Sequence, residues 1–240
     1  MVDLKMWISS SRNIVFFGGA GVSTESSIPD FRSEDGIYNT ISKYGYSPEV
    51  ILSHSFFISH MAEFYDYYKN NLVFTGAKPN KAHLALAALE KKGVLKAVVT
   101  QNIDGLHQAA GSETVLELHG SVHRNSCMNC GQKFPLDFVL KYDGTVPMCN
   151  KCSHPIRPEV TLYEESLDMD VMEKAISYIR KADVLIVGGT SLAVYPAAGL
   201  INYYRGDKLV LINKSPTPYD SKAALVINDS IGKVLGEAVT

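Results

Sequence analysis

Two Cys-x-x-Cys pairs, Cys127-Met128-Asn129-Cys130 and Cys149-Asn150-Lys151-Cys152, stand eighteen residues apart and contain all four cysteines of the chain. Each pair can present two thiolates to one ion from a tight turn, and two pairs complete the closed tetrahedral set of a structural zinc, with no position left open for chemistry. A redox Cys-x-x-Cys, which needs one pair only, and a pair of disulfides are the alternatives. A second constellation is Gly18, Gly19 and Gly21, directly after the apolar run Ile14-Val15-Phe16-Phe17. Glycines there permit a sharp turn and close approach to a ligand, and Ser23 or Thr24 could cap a short helix whose N–H groups face an anion. Such a loop is a phosphate cradle. Thr24 stands where the G-x-G-x-x-G spacing calls for a third small residue, so an ordinary Gly-rich turn is the alternative. The third feature is His119, directly before Gly120 at the end of an apolar run. A neutral imidazole, with a reference pKa of about 6.5, can take a proton from a hydroxyl that is becoming a nucleophile. Of the other histidines, His54, His60 and His83 fall within or beside apolar helical patterns, where packing or exposure accounts for them. His123 and His154 flank the cysteine pairs, and a Cys/His zinc set is their alternative role.

These residues need elements to hold them. With 240 residues, 46% of them hydrophobic, the chain can bury a full core as one large domain or as one domain with a small insert, which excludes a disordered chain. A formal charge of −2 argues against a polyanion-binding surface, so direct nucleic-acid binding is not expected. No apolar run approaches the ~18 residues that span a bilayer, and Asp3 and Lys5 precede Trp7 where a signal peptide would be apolar. No membrane association and a cytoplasmic location are expected, in keeping with paired rather than scattered cysteines. A short amphipathic helix is expected over 2–11, a mobile lid over 33–55, one helix over 56–71, and a helix over 81–92 opened by Pro79-Asn80 and ended by Gly93. Apolar strands are expected at 14–17, 94–100, 115–118, 184–187 and 209–212, each finishing in small or polar residues. In a parallel sheet that pattern brings Gly21, Gln101, Asp104, His119, Ser191 and Asn213 to one rim, where ligands of open α/β sheets collect.

The motifs Gly19-Ala20-Gly21-Val22-Ser23, Ile28-Pro29-Asp30-Phe31-Arg32, Thr100-Gln101-Asn102-Ile103-Asp104-Gly105-Leu106-His107 and Glu117-Leu118-His119-Gly120 together resemble the sirtuins, NAD-dependent protein lysine deacylases. The cysteine pairs fall where that family carries its zinc ribbon, and Gly189-Thr190-Ser191 and Ile212-Asn213 match its later cofactor motifs. The likeness covers nearly the whole chain. It implies an α/β fold: a Rossmann-type parallel sheet with helices on both faces, over 1–120 and 156–240, plus a small zinc-binding domain over 121–155. Part of 33–75 would form a lid or join the small domain. It implies NAD as co-substrate, structural Zn2+, acetyl-lysine proteins or peptides as substrates and nicotinamide as a product. Cofactor contacts would come from Ala20, Thr24, Phe31 and Arg32, from Gln101, Ile103 and Asp104, from His119, and from Thr190, Ser191, Asn213 and Ile231. Cys127, Cys130, Cys149 and Cys152 would hold the metal, and Val160 would touch the acyl-lysine. By the same likeness the acyl oxygen attacks the ribose carbon as nicotinamide leaves, and His119 is the general base for the ribose hydroxyl that attacks next.

Two departures from the family pattern concern the substrate. The segment after Val160 reads Thr161-Leu162-Tyr163-Glu164-Glu165, with Glu164 where the family has Gly beside the peptide track, which removes backbone freedom and adds negative charge. Tyr68 stands where succinyl- and malonyl-preferring relatives carry the Arg that partners a Tyr, here Tyr65, so neutral acyl groups are expected. An ADP-ribosyltransferase using the same cleft and a non-catalytic NAD- or ADP-ribose-binding regulator are the alternative functions.

Overall fold

The computed structural model describes residues 2–29 and 41–239. Six strands form a parallel sheet: β1 (Ile14–Gly18), β2 (Leu95–Thr100), β3 (Val115–Glu117), β7 (Val184–Gly188), β8 (Leu209–Ile212) and β9 (Leu225–Ile227), in the order β3-β2-β1-β7-β8-β9. Five of these were expected. β9 is short and only half buried, and its three residues carry too little periodicity to stand out. The central strands read as unbroken apolar runs because both of their faces are covered. Along β1, Ile14 and Phe16 enter one core while Val15 and Phe17 enter another, and β7 divides Val184 and Ile186 from Leu185 and Val187 in the same way. Helices α1 (Val2–Ser10), α5 (Lys81–Lys91) and α9 (Ile231–Val239) close the first core through Leu4, Leu86 and Leu235. Helix α8 (Met169–Lys181) closes the second through Ala175 and Ile179. The chain reverses its strand order between β1 and β7, which puts the ends of both strands at the crevice where such sheets take ligands.

Three antiparallel strands, β4 (Gly120–Cys127), β5 (Lys133–Pro135) and β6 (Ile156–Val160), form a second sheet in the order β5-β4-β6. Its apolar side shares a third core with α2 (Pro48–Ile51), α3 (His54–Ser59) and α4 (Met61–Asn71), where Phe57, Phe64, Tyr65 and Tyr68 pack beside Val122, Cys127, Cys149 and Ile156. Two expectations change here. The span 56–71 is two helices, because His60 leaves the helical region at φ −136 and ψ 48. There its ring stacks on Phe56 at 4.7 Å and accepts or donates a hydrogen bond with Ser59 Oγ. The expected lid is partly ordered helix: Ser47 caps the first turn of α2 and Pro48 occupies its first position. Residues 33–40 of that expectation lie outside the described residues. Among the described residues, no helix is long and apolar enough to cross a membrane.

Candidate active site

The loops after β1 and β7 meet at the switch point. Gly21 N–H donates to the Gly189 carbonyl at 2.8 Å, and a β-carbon on Gly189, at φ +61, would stand 2.4 Å from Val22 N. The glycines therefore let two backbone loops touch each other, as well as shaping a concave edge. The first loop winds into two 3-10 turns, Ala20–Val22 and Thr24–Ser26, and neither is capped as expected. Ser23 Oγ donates instead to Asp104 Oδ2 at 2.7 Å and accepts from Asn102 Nδ2 at 3.0 Å. Thr24, exposed, turns its hydroxyl back to the Gly21 carbonyl at 3.0 Å.

From there a polar chain runs along the rim. Gln101 N–H donates to the Gly18 carbonyl and Gln101 Nε2 donates to Thr190 Oγ1 at 3.1 Å. Thr190 N–H donates to Asn213 Oδ1 at 2.9 Å, while the Asn213 amide nitrogen is buried with no partner among the described residues. A buried donor without an acceptor is costly, and at a ligand-binding crevice it fits a polar ligand group. Together with the Gly21–Gly189 contact, this edge suits the phosphates and sugars of a dinucleotide. Ser191 is exposed beside it, whereas the Ile231 side chain lies in the core against Gly188. Phe31 and Arg32 lie outside the described residues.

A cavity of about 240 Å³ opens at this rim, lined by Ala20, Gln101, Ile103, Asp104, His119 and Val160 among others. Asn102 and the run Val194-Tyr195-Pro196 also line it, neither of them among the expected site residues. Asn102 lay in view within the polar run after β2, but its partner Ser23 is 79 positions away. Asp104 is held from three sides: Oδ1 accepts from Leu106 N–H at 2.9 Å, Oδ2 from Ser23, and the backbone carbonyl from His123 Nε2 at 2.9 Å.

His119 sits in the turn between β3 and β4. Its Nδ1 lies 3.0 Å from the Gln101 carbonyl, which can only accept, so Nδ1 carries the proton and Nε2 carries the basic lone pair. The turn is set by Gly120 at φ +74, where a β-carbon would stand 2.0 Å from the Glu159 carbonyl oxygen. Thr161 N–H donates to the His119 carbonyl at 2.9 Å, tying this turn to the end of β6.

The four cysteine sulfurs lie within 4.8 Å of one another, with Cys127–Cys152 at 3.4 Å and Cys130–Cys149 at 3.7 Å. A tetrahedral ion with Zn–S of about 2.3 Å separates its sulfurs by about 3.8 Å, so the cluster fits zinc. Backbone N–H groups of Asn129 and Cys130 point at Cys127 Sγ, and that of Lys151 at Cys149 Sγ, which favours thiolates. The histidine alternative fails: His123 bonds Asp104, and His154 Nδ1 turns to the Cys152 carbonyl at 2.8 Å.

Near the cavity, Tyr65 and Tyr68 are fully buried and do not line it; their hydroxyls donate to the Ile156 and Val122 carbonyls, and burial pushes both phenols well above the usual range. Glu164 does not lose the backbone conformation expected to require glycine. It adopts φ +74 itself, and its carboxylate accepts from Ser55 N–H at 2.9 Å and from Ser55 Oγ.

The Sir2 family model matches residues 19–196, which contain the loops after β1, β2, β3 and β7 that line the crevice but not β1 itself, Asn213 or the last strands. The chain belongs to the Sir2 family. An "NAD-dependent protein deacetylase" of Clostridium tetani is 62% identical over 99% of this chain and 96% of its own. A solved Sir2 with a deacetylated p53 peptide and 3'-O-acetyl ADP-ribose superposes with a TM-score of 0.90, at 40% identity over 100% of this chain and 96% of that one. A Sir2 homologue solved with NAD has a TM-score of 0.89 at 39% identity, covering 100% of this chain and 92% of its own.

Proposed function

We propose that this chain is an NAD-dependent protein lysine deacetylase that transfers the acetyl group of acetyl-lysine to ADP-ribose and releases nicotinamide. The observation that carries the mechanism is the contact of His119 Nδ1 with the Gln101 carbonyl on the cavity wall. NAD, when bound, supplies a ribose carbon with a good leaving group. The chain's own part is orientation and proton transfer. Gln101 holds His119 with Nε2 basic, ready to draw the proton from a ribose hydroxyl. Asp104, fixed by Ser23 and Leu106, presents a carboxylate to the nicotinamide and ribose region together with Gln101 and Ile103. Ala20, Thr24, Phe31 and Arg32 would contact the cofactor from the first loop. Thr190, Ser191 and Asn213 would hold the adenosine half, with Ile231 contributing from the start of α9. Val160, at the end of β6 and tied through Thr161 to His119, would touch the acyl-lysine stem.

Cys127, Cys130, Cys149 and Cys152 would hold the structural zinc. We divide the chain into a Rossmann-type part, 1–120 and 156–240, and a zinc-binding insert, 121–155, supported by the separate sheets; β6 and helices α2 to α4 pack with the insert. A cytoplasmic location is supported by paired thiols placed for metal binding. Incubating the protein with NAD and an acetyl-lysine peptide should yield nicotinamide, free peptide and O-acetyl-ADP-ribose in equal amounts. Nicotinamide with ADP-ribosylated protein and intact peptide would instead indicate a transferase, and no nicotinamide would indicate a binding module.

A further inference from the structure

The wall that continues from Val160 carries a charge that the deacetylase chemistry does not use. Residues 161–165 line the cavity together with Val194, Tyr195 and Pro196. Their backbone is fixed on the other side, with Tyr163 N–H donating to the Leu52 carbonyl and His54 N–H to the Tyr163 carbonyl. Three carboxylates among the described residues line this cavity, and two are committed. Asp104 is bound up with Ser23 and Leu106, and Glu165 is clasped by both Arg157 guanidinium nitrogens at 2.9 Å. Burial alone would raise Glu165, but Arg157, Leu162 N–H and His54 hold it down at about 2.

Glu164 is the third. Its donors, the Ser55 hydroxyl and amide, are neutral, so they fix the carboxylate in place and leave its charge uncancelled. Those bonds, with a lesser electrostatic contribution from His54, hold the group below the ordinary carboxylate range. Among the described residues it has no ion pair, and no Lys or Arg among them lines the cavity. The side chain is exposed, at a left-handed backbone position that favours glycine, and is tied to the first turn of α3.

We infer that Glu164 makes this cleft select acetyl-lysine sites that have an arginine or lysine within a residue or two, and disfavour sites flanked by aspartate or glutamate. This rests on reading the chain as a lysine deacetylase. An exposed pair of opposite charges is a weak contact that salt screens, so the expected discrimination is about two- to five-fold at low ionic strength.

The test uses one neutral peptide around a single acetyl-lysine, with Arg, Gln or Glu placed in turn at each of the two positions on either side. Both Kd, by anisotropy without NAD, and kcat/KM are measured at low salt and near 1 M salt. The wild type should favour Arg over Glu two- to five-fold at one or more positions, with the ratio falling toward one in high salt. Glu164→Gln should bring the low-salt ratio to that same value, and Glu164→Lys should invert it. A wild-type ratio near one at all four positions, or a ratio that survives Glu164→Gln, overturns the inference. Failure to deacetylate even the neutral peptide would instead sink the proposed activity, and the Kd ratios would still decide the charge preference.

Discussion

Gly120 decides where His119 can stand. Its left-handed backbone and the 2.0 Å approach to the Glu159 carbonyl leave no room for a side chain, so the turn that aims the imidazole is fixed by the pairing of β4 with β6. Gly120→Ala should push those strands apart, lowering thermal stability by about 1–3 kcal/mol and taking turnover with it. His119→Ala removes the base together with its hydrogen bond to the Gln101 carbonyl, and leaves the Gly120 turn in place. It should lower kcat/KM by about 10²–10⁴ while the melting temperature stays near the wild-type value, a split the glycine variant cannot produce. Selectivity for the acyl group is also set residue by residue. Tyr68 is buried with its hydroxyl on the Val122 carbonyl, and the described lining of the cavity offers no cation to an acyl carboxylate. Charged hydrogen bonds of the kind missing here contribute about 1.5–3 kcal/mol, so matched acetyl and succinyl peptides should differ at least about tenfold in kcat/KM in favour of acetyl.

Helix α5 and the short helix α6 (Leu106–Ala109) meet at two buried imidazoles, His83 and His107, whose ring centres are 4.7 Å apart. Asn80, the cap of α5, accepts from Ala82 N–H, donates its backbone N–H to His83 Nδ1 and reaches the Val22 carbonyl at 2.7 Å, so the pair is tied to the loop that follows β1. Burial, reinforced by His83, lowers His107 to about 3, and burial lowers His83 as well. An unfolded chain takes up these protons near pH 6.5 while the fold refuses them, so stability is complete above that pH and is lost as pH falls toward 3. Between pH 6.5 and about 5 few carboxylates titrate, and in that window His107→Gln should flatten the fall in melting temperature; an unchanged slope would rule this out.

Elements of this kind differ in how well sequence announces them. The strands β1, β7 and β8 were plain because covering both faces makes every residue apolar, and the cap at Asn80 was plain because it is local. The break at His60 was hidden, since Phe57, Met61, Phe64 and Tyr68 keep helical spacing across it. The rim residues Gln101, Asp104, His119 and Asn213 could be named from strand ends and family likeness. The contacts that position them, Ser23 with Asp104 across 81 residues and Gln101 with Thr190 across 89, leave no periodic trace.

At the scale of the molecule, the cysteine cluster and the peptide wall share one core, because Cys127, Cys149, Val160 and Leu162 pack with the aromatic residues of α3 and α4. Binding of a structural zinc is then part of the folding energy of the cleft itself. About one zinc per chain is expected by metal analysis, and Cys149→Ser or a strong chelator should lower the melting temperature and deacetylation together; full activity in zinc-free protein would contradict this. The same shared core has a consequence for synthesis. Tyr65, from the segment between β1 and β2, completes its hydrogen bond only with Ile156, 91 residues later in the chain. Until the ribosome has delivered that strand, Phe57, Phe64, Tyr65 and Tyr68 are covered only in part, by earlier residues such as Val122 and Phe134, and the core stays incomplete for several seconds at about 5–20 residues per second. Truncations ending between the two cysteine pairs lack Ile156, Val160 and Leu162 from this core and should aggregate more than the full chain.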